Sequence, residues 1–341
     1  MRLANLVRTA GSAAALGLVL FWWWNLSGTF GPLPKHVTTE AGEFTLGPEP
    51  PIARTEAGGV VCDGAFYLVG GIGPLAETYA STVRFDPASR VWTTLADLPR
   101  PINHPGVACL DGRVHVVGGF GPLGLRPRGF MLARWDPLDT TYVYDAPARR
   151  WRTGPLLPEP RGAGGIAVSG GALYYVGGIG PARTDTSDLF RLRSGASGWE
   201  SLTPMATARD HLRLESIGPF LFALSGRRDD LRFNLPDVER YDVVHDRWQP
   251  AAPIPVARGG LGSTVLGGRI YTFGGEFPWS CHAGMESYDP SADAWRKEAD
   301  LPEARHGIQA GVLGGRLHLI SGGRHPRVSV SAIHRIFTPG R

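Results

Sequence analysis

Six times along the chain a short apolar run ends on a pair of small residues: FYLVGG, VHVVGG, YYVGG, FALSG, YTFGG and LHLISGG. The pairs are Gly70 and Gly71, Gly118 and Gly119, Gly177 and Gly178, Ser225 and Gly226, Gly274 and Gly275, and Gly322 and Gly323. They recur at intervals of 48, 59, 48, 49 and 48 residues. Before each apolar run stands a minimal turn (CDGA, LDGR, SGGA, IGPF, LGGR, LGGR), and Asp-Gly and Gly-Gly suit tight hairpins. After each pair comes a variable loop and then an alternating run such as TVRFDP, TYVYDA, VERYDV or ESYDP. An aromatic residue follows on the next run: Trp92, Trp151, Trp199, Trp248 and Trp295. Period-two alternation broken by Gly, Pro and Asp predicts strands. Each unit of about 50 residues thus reads as four short antiparallel strands, a to d.

The chain starts out of phase with this pattern. In RWRTGPLLPEPR, GWESLTPMATAR, RWQPAAPIPVAR and AWRKEADLPEAR an aromatic residue stands ten positions before an arginine. GEFTLGPEPPIAR (42–54) repeats that spacing from Phe44 to Arg54, with no unit before it. The last unit, conversely, ends after SAIHRIF (331–337) without an aromatic d strand. GEFTLGP is therefore expected to supply the missing strand, with Phe44 in the tryptophan place. Closure of that kind removes the open sheet edges of a linear stack. The expected fold is an all-β six-bladed β-propeller over residues 42–338, with 31–41 a linker and 339–341 a tail.

The period, the glycine pairs and the tryptophans resemble the kelch repeat, and the resemblance covers roughly residues 42 to 337. Ser225, in place of a glycine, is a local departure. The glycines are expected to permit close backbone approach near the axis, and the tryptophans to fill space between blades. The resemblance implies a loop face that holds a partner. Six-bladed propellers of this type also resemble bacterial sialic-acid epimerases, which implies an alternative: a carbohydrate-active enzyme acting on an acidic sugar. The Cys–Tyr pair and ligand set of copper-radical oxidases with kelch-like domains cannot be mapped here.

Ahead of the repeats, Arg2 and Arg8 precede a stretch with no charge until Lys35, and its most apolar part runs from Ala13 to Trp24. Residues 1–30 are expected to be a membrane anchor or a signal peptide. The lack of an A-x-A-like cleavage site and the run Trp22, Trp23, Trp24 favour the anchor. Either form places the propeller outside the cytoplasm, anchored to the inner membrane or exported. Charged residues make up 19% of the chain and the net charge is +4. With no dense basic run, a nucleic-acid partner is not expected. Cys62, Cys109 and Cys281 show no metal-ligand spacing. They read as small buried hydrophobes, or, for Cys62 and Cys109, as a disulfide in an oxidising compartment.

The a–b and c–d turns share one plain face, whereas the d–a and b–c loops share the other and vary. The second unit is the long one, and its additional length, with Arg126, Arg128, Arg134 and Trp135, falls in such a loop. Binding is expected on this face. Arg54, Arg161, Arg209, Arg258 and Arg305 recur at the start of strand a; Ile102 takes that place in the second unit, with His104 nearby. Five guanidiniums around a channel mouth invite an anionic ligand, or the local carboxylates Glu56, Asp210 and Glu276. His104, His211 and His306 fall near the same mouth and read as satisfied polar residues. Trp279 is a candidate for stacking on a sugar ring. No cofactor and no metal are expected. The expected function is a binding module for a protein or glycan ligand, with an anionic ligand and local carboxylates both left open as the answer to the arginines, and with membrane contact through the N-terminal segment alone.

Overall fold

The computed structural model describes residues 32–122, 124–125 and 133–340. The expected anchor or signal segment, residues 1–30, lies outside them. No helix among the described residues is long and apolar enough to cross a membrane. Six a strands ring a central axis: Gly58–Cys62, Gly106–Leu110, Gly165–Ser169, Arg213–Ile217, Gly262–Leu266 and Gln309–Leu313. Behind each stand b, c and d strands in antiparallel order, which gives six blades.

The closing strand falls where the out-of-phase start predicted it. Gly42–Leu46 pairs with His334–Pro339, and Phe44 lies opposite Phe337 with ring centroids 4.7 Å apart. Two boundaries differ from the sequence reading. The segment taken as a linker contains a fifth strand, His36–Thr39, which forms a hairpin with Gly42–Leu46. The c strand of blade 6 starts at His334 rather than Ser331, because Ser331 is drawn into a bridge with Arg54. The long loop of blade 2 carries a small ribbon, Gly124–Leu125 against Ala133–Arg134.

The apolar core is distributed as one hydrophobic cluster in each of the six seams between blades. The tryptophans clip these seams. Each indole N–H donates to a carbonyl four residues beyond the aromatic of the preceding blade: Trp92 to Pro48, Trp151 to Ala96, Trp199 to Pro155, Trp248 to Thr203 and Trp295 to Ala252. A disulfide joins Cys62 to Cys109 across the a strands of blades 1 and 2.

The glycine pairs clip the inner ends of the blades. The second member of each pair donates its N–H to the main-chain carbonyl that opens the next blade: Gly71 to Ile102, Gly119 to Arg161, Gly178 to Arg209, Gly226 to Arg258 and Gly275 to Arg305. A Cβ on Gly274, whose φ is +56°, would lie 2.1 Å from the Arg305 carbonyl oxygen, so the approach demands glycine. In blade 6 the pair proves to be Ser321 and Gly322, one residue earlier than the sequence suggested. Ser321 takes the left-handed conformation (φ 60°), and Gly322 donates to Arg54 at 2.9 Å.

Candidate functional site

The recurring arginines do not form an open ring at the mouth. Arg54, Arg161, Arg209, Arg258 and Arg305 are all buried. Each guanidinium turns into its own blade. Arg54 donates to the Gly70 carbonyl at 2.8 Å, and Arg305 to Ser321 and Ile333 carbonyls. Arg161, Arg209 and Arg258 pair with Asp188, Glu239 and Glu286. The physical reason is local: the end of strand b and the start of strand c leave inward carbonyls that a fork of donors satisfies.

Two residues beyond each arginine position the backbone turns left-handed in every blade. The residues are Glu56, His104, Ala163, His211, Gly260 and Gly307, with φ between 48° and 64°. Their peptides hydrogen-bond head to tail around the axis: His104 N to Glu56 O, Ala163 N to His104 O, His211 N to Ala163 O, Gly260 N to His211 O and Gly307 N to Gly260 O, at 2.7–3.2 Å. For a residue with a Cβ this conformation costs about 1–2 kcal/mol. Glycine would avoid the cost, yet three of the six positions hold Glu or His.

Above this girdle lies a cavity of ≈ 580 Å³ on the d–a/b–c face. The residue after each small pair adds a second tier: Ile72, Phe120, Ile179, Arg227, Glu276 and Gly323. The apolar members come from blades 1 to 3 and the charged ones from blades 4 and 5. Trp135, Arg183, Arg232, Arg327 and Trp279 line the cavity farther out. Trp279 is 86% exposed. Arg213, reaching from blade 4 to the Leu261 and Ile308 carbonyls, crosses the channel below the girdle.

The structure brings five sequence candidates together here: Glu56, His104, His211, His306 and Glu276. Glu56 Oε1 accepts from His306 Nδ1 at 3.1 Å, while its Oε2 lies 3.6 Å from His104 Nε2. Arg227 is tied to Glu276 at 2.7 Å, to Asp210 at 3.3 Å and to His211 Nε2 at 2.8 Å. Burial opposes the charge on Glu56, but His104 and the His306 hydrogen bond hold its carboxyl below the usual range. Burial likewise lowers His306, and Glu276 and Glu56 outweigh it, so His306 is raised. Burial pushes His104 and His211 down to about 3, which leaves both imidazoles neutral at pH 7. Asp185 is pushed up to about 7, first by burial and then by its neighbour Asp210.

Two donor sets in this group have ligand atoms within 4.8 Å of one another: Glu56 with His104 and His211, and Glu56 with Glu276 and His306. The sequence reading missed Arg227 and Asn103. Arg227 holds the same repeat position as Glu276, so aligning the units on their small pairs would have found it.

Residues 53–99 and 257–302 match the Kelch motif. Kelch-like protein terF of Aspergillus terreus (strain NIH 2624 / FGSC A1156) is 27% identical over 258 residues, covering 72% of this chain and 54% of terF. Beta-scruin of Limulus polyphemus is 24% identical over 238 residues, 68% of this chain and 25% of the scruin. Kelch-like protein 15 of Homo sapiens is 30% identical over 125 residues, 36% of this chain and 20% of that protein. The chain thus spans about half the length of terF and a quarter or less of the other two. Among solved structures, that of YjhT superposes with a TM-score of 0.71 at 15% identity, over 86% of this chain and 95% of YjhT. With two blades matching the motif itself and the ring closing at six, the chain belongs to the kelch-repeat β-propeller proteins.

Proposed function

We propose that this propeller is a binding module whose working surface is the d–a/b–c loop face, with the mouth cavity taking a glycan-type ligand. One observation carries the reading. Glu56, His104 and His211 keep strained left-handed backbones where glycine is the unstrained choice, and all three side chains line the cavity. The lining suits a polyhydroxylated molecule: carboxylate and imidazole acceptors on the floor, guanidinium donors on the rim, and exposed Trp279 to stack on a sugar face. Arg183, Arg232 and Arg327, rather than the recurring arginines, would meet an acidic group on such a ligand. Kelch propellers generally mediate protein binding, and a glycan borne on a partner protein serves both descriptions. The Cys62–Cys109 disulfide supports a location outside the cytoplasm.

The test is a thermal-shift panel on the full chain that pairs sialic and uronic acids with neutral sugars of similar size, alongside short acidic peptides. A ligand at 100 times its Kd stabilises the fold by about 2.7 kcal/mol. A rise in Tm with a sugar, abolished by Trp279→Ala, is the expected result. A panel in which peptides alone stabilise the chain, or one with no response, would remove the glycan reading.

A further inference from the structure

We propose that Glu56, His104 and His211 bind one divalent transition-metal ion of the zinc class, with open coordination positions facing the mouth cavity. The donor set is two imidazoles and one carboxylate, each on its own blade and each buried or nearly so. That combination, leaving room for a further ligand, marks reactive rather than purely structural metal sites.

The tautomers are fixed by the surrounding hydrogen bonds. Asn103 Nδ2 donates to Thr78 Oγ1 at 2.9 Å and to the Gly121 carbonyl, so Asn103 Oδ1 is the acceptor that faces His104 Nδ1 at 2.6 Å. His104 therefore carries its proton on Nδ1 and presents a lone pair at Nε2. His211 Nδ1 meets the Asp210 carboxylate, and its Nε2 accepts from Arg227. Both Nε2 atoms are thus acceptors, and the rings lie 4.8 Å apart. Glu56 Oε1 is held by His306 while Oε2 turns to His104 Nε2 at 3.6 Å. The ligand atoms of Glu56, His104 and His211 all converge within 4.8 Å of one another. Donors about 2.1 Å from a tetrahedral ion stand about 3.4 Å apart, so small side-chain rotations suffice.

Each proposed ligand also has an outer partner: Asn103 behind His104, Asp210 behind His211, and His306 behind Glu56. Such partners set ring orientation and ligand basicity in metal sites. The alternative set of Glu56, Glu276 and His306 lacks this arrangement. There His306 Nδ1 lies between two carboxylates as a donor, and Glu276 is already engaged by Arg227 and by the Arg327 amide. Arg227 competes with the ion for the His211 lone pair, but retains Asp210 and Glu276 when it yields that nitrogen.

This inference is independent of the glycan reading, since metal uptake is measured without sugar. The full chain would be stripped with a chelator, then titrated with Zn²⁺ by calorimetry and with Co²⁺ by visible absorption. One ion per chain and a Co²⁺ d–d band free of thiolate charge transfer are expected. His104→Ala and His211→Ala should abolish both, and Asn103→Ala should weaken Zn²⁺ binding by about 10- to 100-fold. His245→Ala, an exposed histidine far from the axis, should change neither. Circular dichroism would establish that each variant is folded, and Asn103→Ala keeps the test decisive should a ligand variant fail to fold. No saturable uptake, or uptake unchanged in the ligand variants or in Asn103→Ala, would overturn the proposal.

Discussion

Arg209 shows how a residue legible as a repeat can be read for the wrong task. Its recurrence was visible in the spacing, but its burial was not, because only the folded blade shows which way the guanidinium turns. It donates to Glu239 at 2.8 Å and to the Ala223 carbonyl at 3.3 Å, fully shielded from water. Breaking a buried pair costs more than forming it gains, since the remaining charge is stranded. Arg209→Ala is therefore expected to destabilise the chain by about 3 kcal/mol, the lower end for a buried pair, because Glu239 keeps two backbone N–H donors. Urea unfolding would measure it. A loss below about 1 kcal/mol, the range of an exposed pair, would mean that the arginine is retained for something other than the fold. The girdle residues present the opposite case. Glu56, His104 and His211 carry no periodic signal, since nothing in a sequence marks a left-handed histidine; their shared offset from the arginine position emerges once the blades are superposed.

Between strands and blades the determining feature is the seam. The aromatic-to-arginine spacing made the d strands legible, and the indole bonds show why that spacing is kept: each reaches a carbonyl at a fixed distance along the preceding blade. The shift of the sixth pair to Ser321 escaped notice because glycine at Gly323 imitates the motif. The seam between blades 6 and 1 also contains a titrating pair. His318 Nδ1 and His334 Nε2 lie 2.9 Å apart, packed on Phe85, and His334 Nδ1 faces the Pro48 carbonyl. Burial lowers His318 to about 4 and His334 to about 3, with Arg90 pushing both the same way, Arg316 acting on His318 and Arg305 on His334. In the unfolded chain these imidazoles take up protons near pH 6.5, so below that value the unfolded state binds more protons than the folded one. Their contribution is complete above about pH 6.5 and is lost as pH falls toward the folded values. The urea midpoint should decline between pH 7 and pH 5, and His318→Asn should flatten that slope. An unchanged slope would remove the pair from the pH response. The Cys62–Cys109 bridge fastens the adjoining seam, closing a loop of 47 residues. By chain entropy it stabilises by about 4 kcal/mol.

At the scale of the molecule, the ring depends on a strand far from its partner in sequence. Gly42–Leu46 covers the c strand of blade 6 and places Phe44 in the seam with blade 5. Deleting residues 35–46 would bare the backbone edge of His334–Pro339 together with Phe337, and exposed edges of that kind recruit other chains. Size-exclusion chromatography of the deleted chain should show larger assemblies than the intact chain forms. An unchanged elution volume with an unchanged Tm would sink the closure argument.

Strand alternation, turn chemistry and a period near 50 are properties of neighbouring residues, so the sequence by itself determined the blade, the number of blades and the way the ring closes. Glu56, His104, His211, Arg227 and Glu276 belong to four different blades. They meet because each blade is rotated about a common axis, which brings Glu56, His104 and His211 of the girdle and Arg227 and Glu276 of the tier above it to one mouth. That convergence, and the inward turn of the arginines, was decided by the tertiary structure alone, since burial and orientation are set by blades distant along the chain.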